Sequence, residues 1–343
     1  MKDRRWVRIW LMTGLVMVFF QIIIGGITRL TGSGLSITRW EIVTGTLPPL
    51  NAVQWEQAFD LYKATPQYQK INQGMEMSQF KFIFFWEYIH RLWARLMGFV
   101  FLIPFIIFLM RGVLQRDTIR RLGIVVSLAA LAAIFGWIMV ASGLIHRPWV
   151  NAYKLTIHLG LGISLFIFLF YTWFKESEIP PLQLRFDWKG MLRVLIILTI
   201  IQICFGGFVS GMKAAMSYPT WPKMNAEWIP SILFDTSHWS VESLLLYDQA
   251  GFMPSLVQFI HRLLAYTLFI VSVIFGLRFM RQELKENHWV IFGIVGLLVL
   301  QMTLGIITLL GSLGKIPVLP GSLHQAVGIL FLTYLFYIKF RSK

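Results

Sequence analysis

Hydrophobic residues gather in eight blocks along the chain, and polar residues fill the connections between them. A helix of about twenty apolar residues, rising about 1.5 Å per residue, crosses a hydrocarbon core of about 30 Å. The pattern therefore predicts an all-α integral membrane protein. Its eight predicted transmembrane helices are residues 7–28, 82–110, 122–145, 154–174, 191–211, 254–279, 289–311 and 320–340.

Composition supports this class and excludes two others. Hydrophobic residues make up 57% of the 343 residues and charged residues 14%, against about 45–50% and about 25% in soluble domains. The net charge of +15 would suggest nucleic-acid binding in a soluble chain, but the cations here lie in short segments between apolar blocks, as topology signals do. We therefore exclude a soluble enzyme and a nucleic-acid partner. Cys204 is the only cysteine, so no internal disulfide forms.

The distribution of Lys and Arg predicts the orientation. Five short segments hold 18 of the 31 cations, and the positive-inside rule places them in the cytoplasm together with both termini. The opposite side carries two long connections, in which residues 51–68 are helix-compatible and suited to the membrane interface. The N-terminus lacks a small-residue cleavage site, which favours a retained helix in a bacterial plasma membrane. The cation-rich segments are 1–8, 111–121, 175–193, 278–285 and 339–343.

The chain also contains an internal duplication. Three motifs recur in the same order, at offsets of 181, 171 and 166 residues. Each half then has four helices, residues 1–175 and 176–343, and both halves enter the membrane in the same sense. We expect two tandem four-helix bundles related by a pseudo-two-fold axis along the membrane normal. The repeated segments are 21–26 with 202–207, 88–92 with 259–263, and 158–162 with 324–328.

Four histidines fall inside predicted spans, at similar depth near the outer face, and each half contributes one pair. Ionisable groups in lipid are costly and usually functional, and two imidazoles on facing helices can hold a haem iron. Gly162 and Gly328, four residues after a histidine, would leave room for the macrocycle. A structural or proton-relay histidine is the alternative; zinc is disfavoured because no Cys or carboxylate cluster completes a site. His146 and His238 are predicted to be solvated. The four intramembrane histidines are His90, His158, His261 and His324.

One difference between the halves suggests chemistry in the first. Glu87 lies three residues before His90 and shares its helix face, whereas the matching residue before His261 is Gln258. A buried carboxylate could act as a base or stabilise developing positive charge; the alternative is a structural ion pair with a nearby arginine. Arg91 and Arg262 directly follow their histidines and could bind haem propionates.

Several segments together resemble the haem A synthase family, in its mitochondrial and alphaproteobacterial type. They run in the family's order over nearly the whole chain, and the long connections lack the cysteine pairs of some bacterial members. Lys213 stands where relatives often have an acidic residue. The segments are residues 25–36, Trp40, 45–49, 81–91, 136–144, 153–159, Tyr218 with Thr220 and Pro222, 258–262, 304–309 and 324–325.

The resemblance implies an oxidoreductase that converts the C8 methyl group of haem O to the formyl group of haem A, for terminal oxidases. It implies that His90 and His158 hold haem O, that Glu87 assists oxidation, and that His261 and His324 hold haem b. Haem O synthase and oxidase assembly factors are the expected partners. Two other readings stay open at this point: a di-haem b-type electron-transfer cytochrome, which would use the same histidines, and, less favoured, a parallel-repeat transporter.

Overall fold

The computed structural model describes residues 2–38, 47–144 and 148–342. Trp40, Gly45 and His146 lie outside these residues. The described chain contains eleven α-helices and no strand, which confirms the all-α prediction. The helices are α1 Lys2–Leu30, α2 Ala52–Lys63, α3 Pro66–Lys70, α4 Met77–Met110, α5 Arg116–Gly143, α6 Ala152–Glu176, α7 Lys189–Gly211, α8 Val241–Leu245, α9 Phe252–Gln282, α10 Trp289–Leu310 and α11 Val318–Arg341.

Eight of the helices are long and apolar enough to cross a membrane, one for each predicted span. The protein is therefore a multi-pass membrane protein. Most helices extend a few residues beyond the apolar blocks, and side-chain caps account for some of these ends. At the start of α4, for example, the side chains of Glu76 and Gln79 form a capping box that bonds the first free N–H groups. The apolar block marks the membrane-crossing length, and the cap marks the helix end.

The helix-compatible stretch at residues 51–68 is indeed helical, as α2 and α3. Asn51 and Thr65 cap these helices by accepting hydrogen bonds from backbone N–H groups. Their aromatic side chains pack against the first turns of α4, where Phe59 and Tyr62 stack on Phe80 at centroid distances of 4.8 and 5.3 Å. The segment therefore buries its apolar side against its own bundle.

The chain divides into two compact units, Met1–Ser177 and Glu178–Lys343. In the first unit, α1 packs against α4 and α6, and α5 packs against α6. In the second unit, α7 and α10 each pack against both α9 and α11, so the four long helices form a closed ring. Each unit is thus a four-helix assembly, but the two differ in how completely they close.

Glu283, directly after α9, fixes the connection that leads into the second unit. Its carboxylate accepts hydrogen bonds from the backbone N–H groups of Arg185 and Phe186 and from the Trp188 indole, at 2.8–3.0 Å. Burial alone would raise the pKa of Glu283, but these hydrogen bonds outweigh it and hold the pKa below its usual value of 4.5. The carboxylate therefore stabilises the fold above about pH 4.5, and this contribution is lost as the pH falls through the lowered pKa.

We expect Glu283→Ala to lower the free energy of unfolding by about 1–3 kcal/mol near neutral pH, because three N–H donors lose their shared, buried acceptor. The thermal midpoint of the purified protein in detergent should fall, and the difference from wild type should shrink in acid. Glu286→Ala, at an exposed position nearby, is the matched control. An unchanged midpoint for Glu283→Ala would contradict this role.

Candidate functional site

The second unit places two of the predicted histidines opposite each other. The rings of His261 on α9 and His324 on α11 have centroids 6.4 Å apart and planes inclined at 74°. A metal ion bound by two opposed imidazoles at about 2 Å each would separate the ring centres by about 6 Å. The spacing fits one iron between the two rings. In the first unit His90 on α4 and His158 on α6 are close enough to interact electrostatically.

Each of the four rings lies against a glycine of a neighbouring helix. A Cβ atom built on these glycines would approach the imidazole to between 2.8 and 3.3 Å, closer than ordinary contact. Glycine is required here because any side chain would push the imidazole away. The contacts are Gly25 with His90, Gly136 with His158, Gly206 with His261 and Gly305 with His324.

Hydrogen bonds set the tautomer of two rings. The Nδ1 atoms of His158 and His324 lie 2.9 Å from the backbone carbonyls of Ala132 and Gln301. A carbonyl only accepts, so each Nδ1 carries the proton and each Nε2 keeps its lone pair for a metal. The other two histidines are held through their main chain, since Gln21 and Gln202 donate to the carbonyls of His90 and His261.

The donor set fits haem better than a protein-only metal site. Among the described residues, no group of three or more His, Cys, Asp or Glu is placed to hold a metal ion. A two-histidine site leaves the remaining ligands to a macrocycle. Buried side-chain oxygens of Gln21, Gln202 and Gln301 also lack a hydrogen-bond partner within the described chain. Each unit therefore has two histidines that could hold a haem, beside buried polar atoms that lack a partner within the described chain.

Glu87 is buried, with 3% of its side chain exposed, and its carboxylate is fully bonded. One oxygen accepts hydrogen bonds from the Ser36 N–H, the Ser36 hydroxyl and the Ile37 N–H at 2.7–2.9 Å. The other pairs with the Arg91 guanidinium at 2.5 Å, as the ion-pair alternative predicted. Glu87 therefore ties the segment after α1 to α4, one turn from His90.

At the position in the second unit that matches Glu87, the side chain donates hydrogen bonds instead of accepting them. Gln258 donates to the carbonyl of Tyr218, and Arg262 donates to four carbonyls at 2.8–3.3 Å. The segment after α7 thus presents a carbonyl to Gln258, whereas the segment after α1 presents N–H groups to Glu87 and a carbonyl to Arg91. This explains physically why a carboxylate suits one unit and an amide the other. The four acceptors of Arg262 are Tyr218, Thr220, Pro222 and Lys223.

Comparisons with known proteins decide the family. Residues 8–336 match the family model described as cytochrome oxidase assembly protein (COX15-CtaA). The chain belongs to this family. A haem A synthase of Bradyrhizobium diazoefficiens is 39% identical over 96% of this chain and 89% of its own length. Those of Flavobacterium psychrophilum and Caulobacter sp. are 37% and 38% identical, covering 97% and 95% of this chain and 96% and 93% of their own lengths. The resemblance noted in the sequence is thereby confirmed.

Two features of this family member escaped the sequence reasoning. A Gln-x-x-x-Gly spacing occurs at residues 21–25, 202–206 and 301–305. Such small residues are typical of close helix packing, but these glycines lie beneath imidazole rings. Gly328 was expected to leave room for a macrocycle; in the structure a Cβ there would lie 3.0 Å from the Gln301 amide, so this glycine accommodates Gln301. The motif's recurrence beside histidine-bearing spans was the available signal.

We expect Gly305→Ala to displace the His324 ring, because the added Cβ would lie 2.8 Å from its Cε1 atom. Changes that misorient a metal-binding histidine weaken binding about 10–100-fold. The haem-to-protein ratio of the purified variant should fall accordingly. Gly296→Ala is the matched control on the same helix, since nothing lies within 4 Å of its added Cβ. Equal haem content in both variants would refute this contact's role.

Proposed function

We propose that this chain is a haem A synthase, an oxidoreductase that converts the C8 methyl group of haem O to the formyl group of haem A. The observation that carries the proposal is the conjunction of two half-buried histidine pairs with membership of a family whose curated relatives bear this name. Haem O is then the substrate and haem A the product. The product serves terminal oxidases.

We assign different haems to the two units. His90 and His158 hold the iron of haem O in the N-terminal bundle, residues 1–175. His261 and His324 hold a permanent haem b in the C-terminal bundle, residues 176–343. The carboxylate of Glu87, present in the first unit only, supports this assignment, as does the closed helix ring of the second unit.

The haem iron supplies the redox chemistry when bound; the protein supplies position and charge. The glycine contacts and the Nδ1 hydrogen bond of His158 orient histidine rings that would hold the haem. Glu87 places a carboxylate in a buried position, where it would stabilise positive charge that develops as the methyl group is oxidised. The pairing with Arg91 and the hydrogen bonds from the segment after α1 fix this carboxylate.

We further propose the membrane arrangement. Both termini lie in the cytoplasm of a bacterial cell, and the histidine ends of the bundles lie near the outer face of the plasma membrane. The pseudo-two-fold axis along the membrane normal stays a prediction from the duplication. Arg91 and Arg262 are the residues that we assign to the haem propionates, through charge-assisted hydrogen bonds from their guanidinium groups. Haem O synthase and oxidase assembly factors are the expected partners.

The test is conversion in cells that make haem O but no haem A. Expression of this chain should produce haem A, identified by chromatography with mass detection, whereas His90→Ala should not. Haem b bound to the purified chain with no haem A in the cells would instead indicate the di-haem electron-transfer cytochrome.

A further inference from the structure

The two units differ in one helix contact. In the second unit α9 and α10 pack against each other. Their counterparts in the first unit, α4 and α5, make at most isolated close approaches, although each packs on another helix of the bundle. The first unit is therefore open along one side, between α4 and α5, whereas the second is closed.

Side chains on α4 explain the opening. In α9, Phe275 is fully buried, and a Cβ added to Gly276 would lie 2.9 Å from Ile291 on α10. The equivalent residues of α4, 171 positions earlier, are Pro104 and Phe105. A phenylalanine cannot fit where even a Cβ collides, and a proline inside the helix removes an N–H donor and bends the chain.

Burial follows the same pattern along the rest of the helix. Five residues of α9 on the side of Phe275 are buried, whereas all five equivalents in α4 are partly exposed. Beyond Glu87, α4 contains no fully buried residue. The α9 residues are Leu268, Ser272, Phe275, Gly276 and Phe279, and their α4 equivalents are Met97, Phe101, Pro104, Phe105 and Phe108.

On the other side of the opening, α5 has smaller side chains than α10. Ala132 and Gln301 are structurally equivalent, because their carbonyls accept the Nδ1 hydrogen bonds of the two α6 and α11 histidines. The same sequence offset of 169 residues aligns Ala129 with Leu298, a residue that is only 2% exposed. Two side chains that fill the second unit are therefore reduced to methyl groups in the first.

The space that Gln301 fills has no equivalent occupant in the first unit. In the second unit the Gln301 amide lies 3.4 Å from His324 Nε2 and would meet a Cβ on Gly328 at 3.0 Å. A Cβ on Gly162, the equivalent glycine, would find its nearest neighbour, a carbon of Ile22, at 3.8 Å. The opening thus continues up to the first histidine pair.

We infer that the opening between α4 and α5 holds the isoprenoid chain of haem O and admits haem O from the lipid. The inference rests on the proposed function. Haem O carries a farnesyl chain that haem b lacks, and only the unit assigned to haem O is open. Residues 97–108 of α4 span roughly 16 Å, at 1.5 Å per residue. Phe101, Phe105 and Phe108 in this stretch also contact an aromatic ring of α1. An extended chain of that kind, apolar throughout, matches this length and these side chains.

The decisive variant fills the opening with the side chains of the closed unit. Ala129→Leu with Ala132→Gln copies Leu298 and Gln301 onto α5, and the second unit shows that both fit beside a histidine pair. The control is Ala130→Val, which copies Val299 at an exposed position of the same helix. Purified proteins are titrated with haem O or with haem B, and binding is followed by the Soret absorbance.

Wild type should bind haem O more tightly than haem B at the first pair. The double variant should lose about tenfold more affinity for haem O than for haem B, because only haem O has a chain that loses its place. The control should match wild type. Unchanged haem O affinity in the double variant, or equal losses for both haems, would overturn the inference.

A smaller change guards against misfolding. If the double variant loses the haem b of its second unit, Ala129→Leu alone is titrated, and its haem O affinity should fall about threefold with haem B unaffected. Failure of the proposed function gives a different result. If the wild type makes no haem A, the proposed function is refuted. If the wild type makes haem A but the double variant keeps its haem O affinity, only the isoprenoid site is refuted.

Discussion

Glu87→Gln is expected to reduce the conversion of haem O about 100-fold or more while both haems stay bound. The substitution keeps the size of the side chain but removes the negative charge, and losing one preorganised electrostatic group costs about 10²–10³ in rate. Haem binding should persist because the histidines and their glycine contacts are untouched. Conversion is measured as haem A formed per protein, and binding as total haem per protein.

A matched variant separates charge from loop anchoring. Ser36→Ala removes one hydroxyl hydrogen bond to Glu87 but leaves the carboxylate, the backbone N–H bonds and Arg91 in place. If Glu87 acts through its charge, Ser36→Ala should retain most activity. A Glu87→Gln protein that still converts haem O would show that the carboxylate is only a structural anchor for the segment after α1.

Single histidine variants should remove one haem each. His90→Ala should retain haem b and lose haem O and haem A, whereas His261→Ala should lose haem b, because an imidazole and its axial nitrogen disappear from one pair only. Chromatography of the extracted haems against protein concentration gives both occupancies. His238→Ala, whose ring lies outside both pairs beside Asp235, is the control.

The loss of both haems from either single variant would contradict the assignment of one haem to each unit. Retention of full haem content in both variants would contradict the histidine ligation itself. The two results differ from the Glu87→Gln outcome, in which haem content is preserved and only conversion fails.

The spans could be predicted because the length of an apolar block is a local property of the sequence. The same holds for the histidines, which fall in the second and fourth spans of each half. The cap formed by the Glu76 and Gln79 side chains, in contrast, extends α4 beyond its apolar block. The aromatic contacts of α2 with α4 depend on tertiary packing, which a hydrophobic pattern cannot give.

The partners of Glu87 were only half predictable. Its position three residues before His90 follows from helix geometry, and Arg91 was a foreseeable ion-pair partner. Ser36 and Ile37, however, are 51 and 50 residues away along the chain, and no periodicity connects them to α4. The roles of the site residues remain predictions that the variants above test.

The opening between α4 and α5 was not predictable for a related reason. Pro104, Phe105, Ala129 and Ala132 are ordinary residues of apolar helices when each is read alone. Their effect on packing becomes visible only when the neighbouring helices are known and when they are compared with Gly276 and its contacts in the second unit. Side-chain volume at a helix crossing decides packing only after the crossing is known.

The most direct measurement of the central claim is the haem inventory of the purified protein. The chain is expressed with a supply of haem O, and its non-covalent haems are extracted and identified by chromatography with mass detection. We predict haem b together with haem O, haem A or an oxidised intermediate. Haem b alone would contradict the synthase and favour an electron-transfer cytochrome, and a protein without haem would contradict the ligation by four histidines.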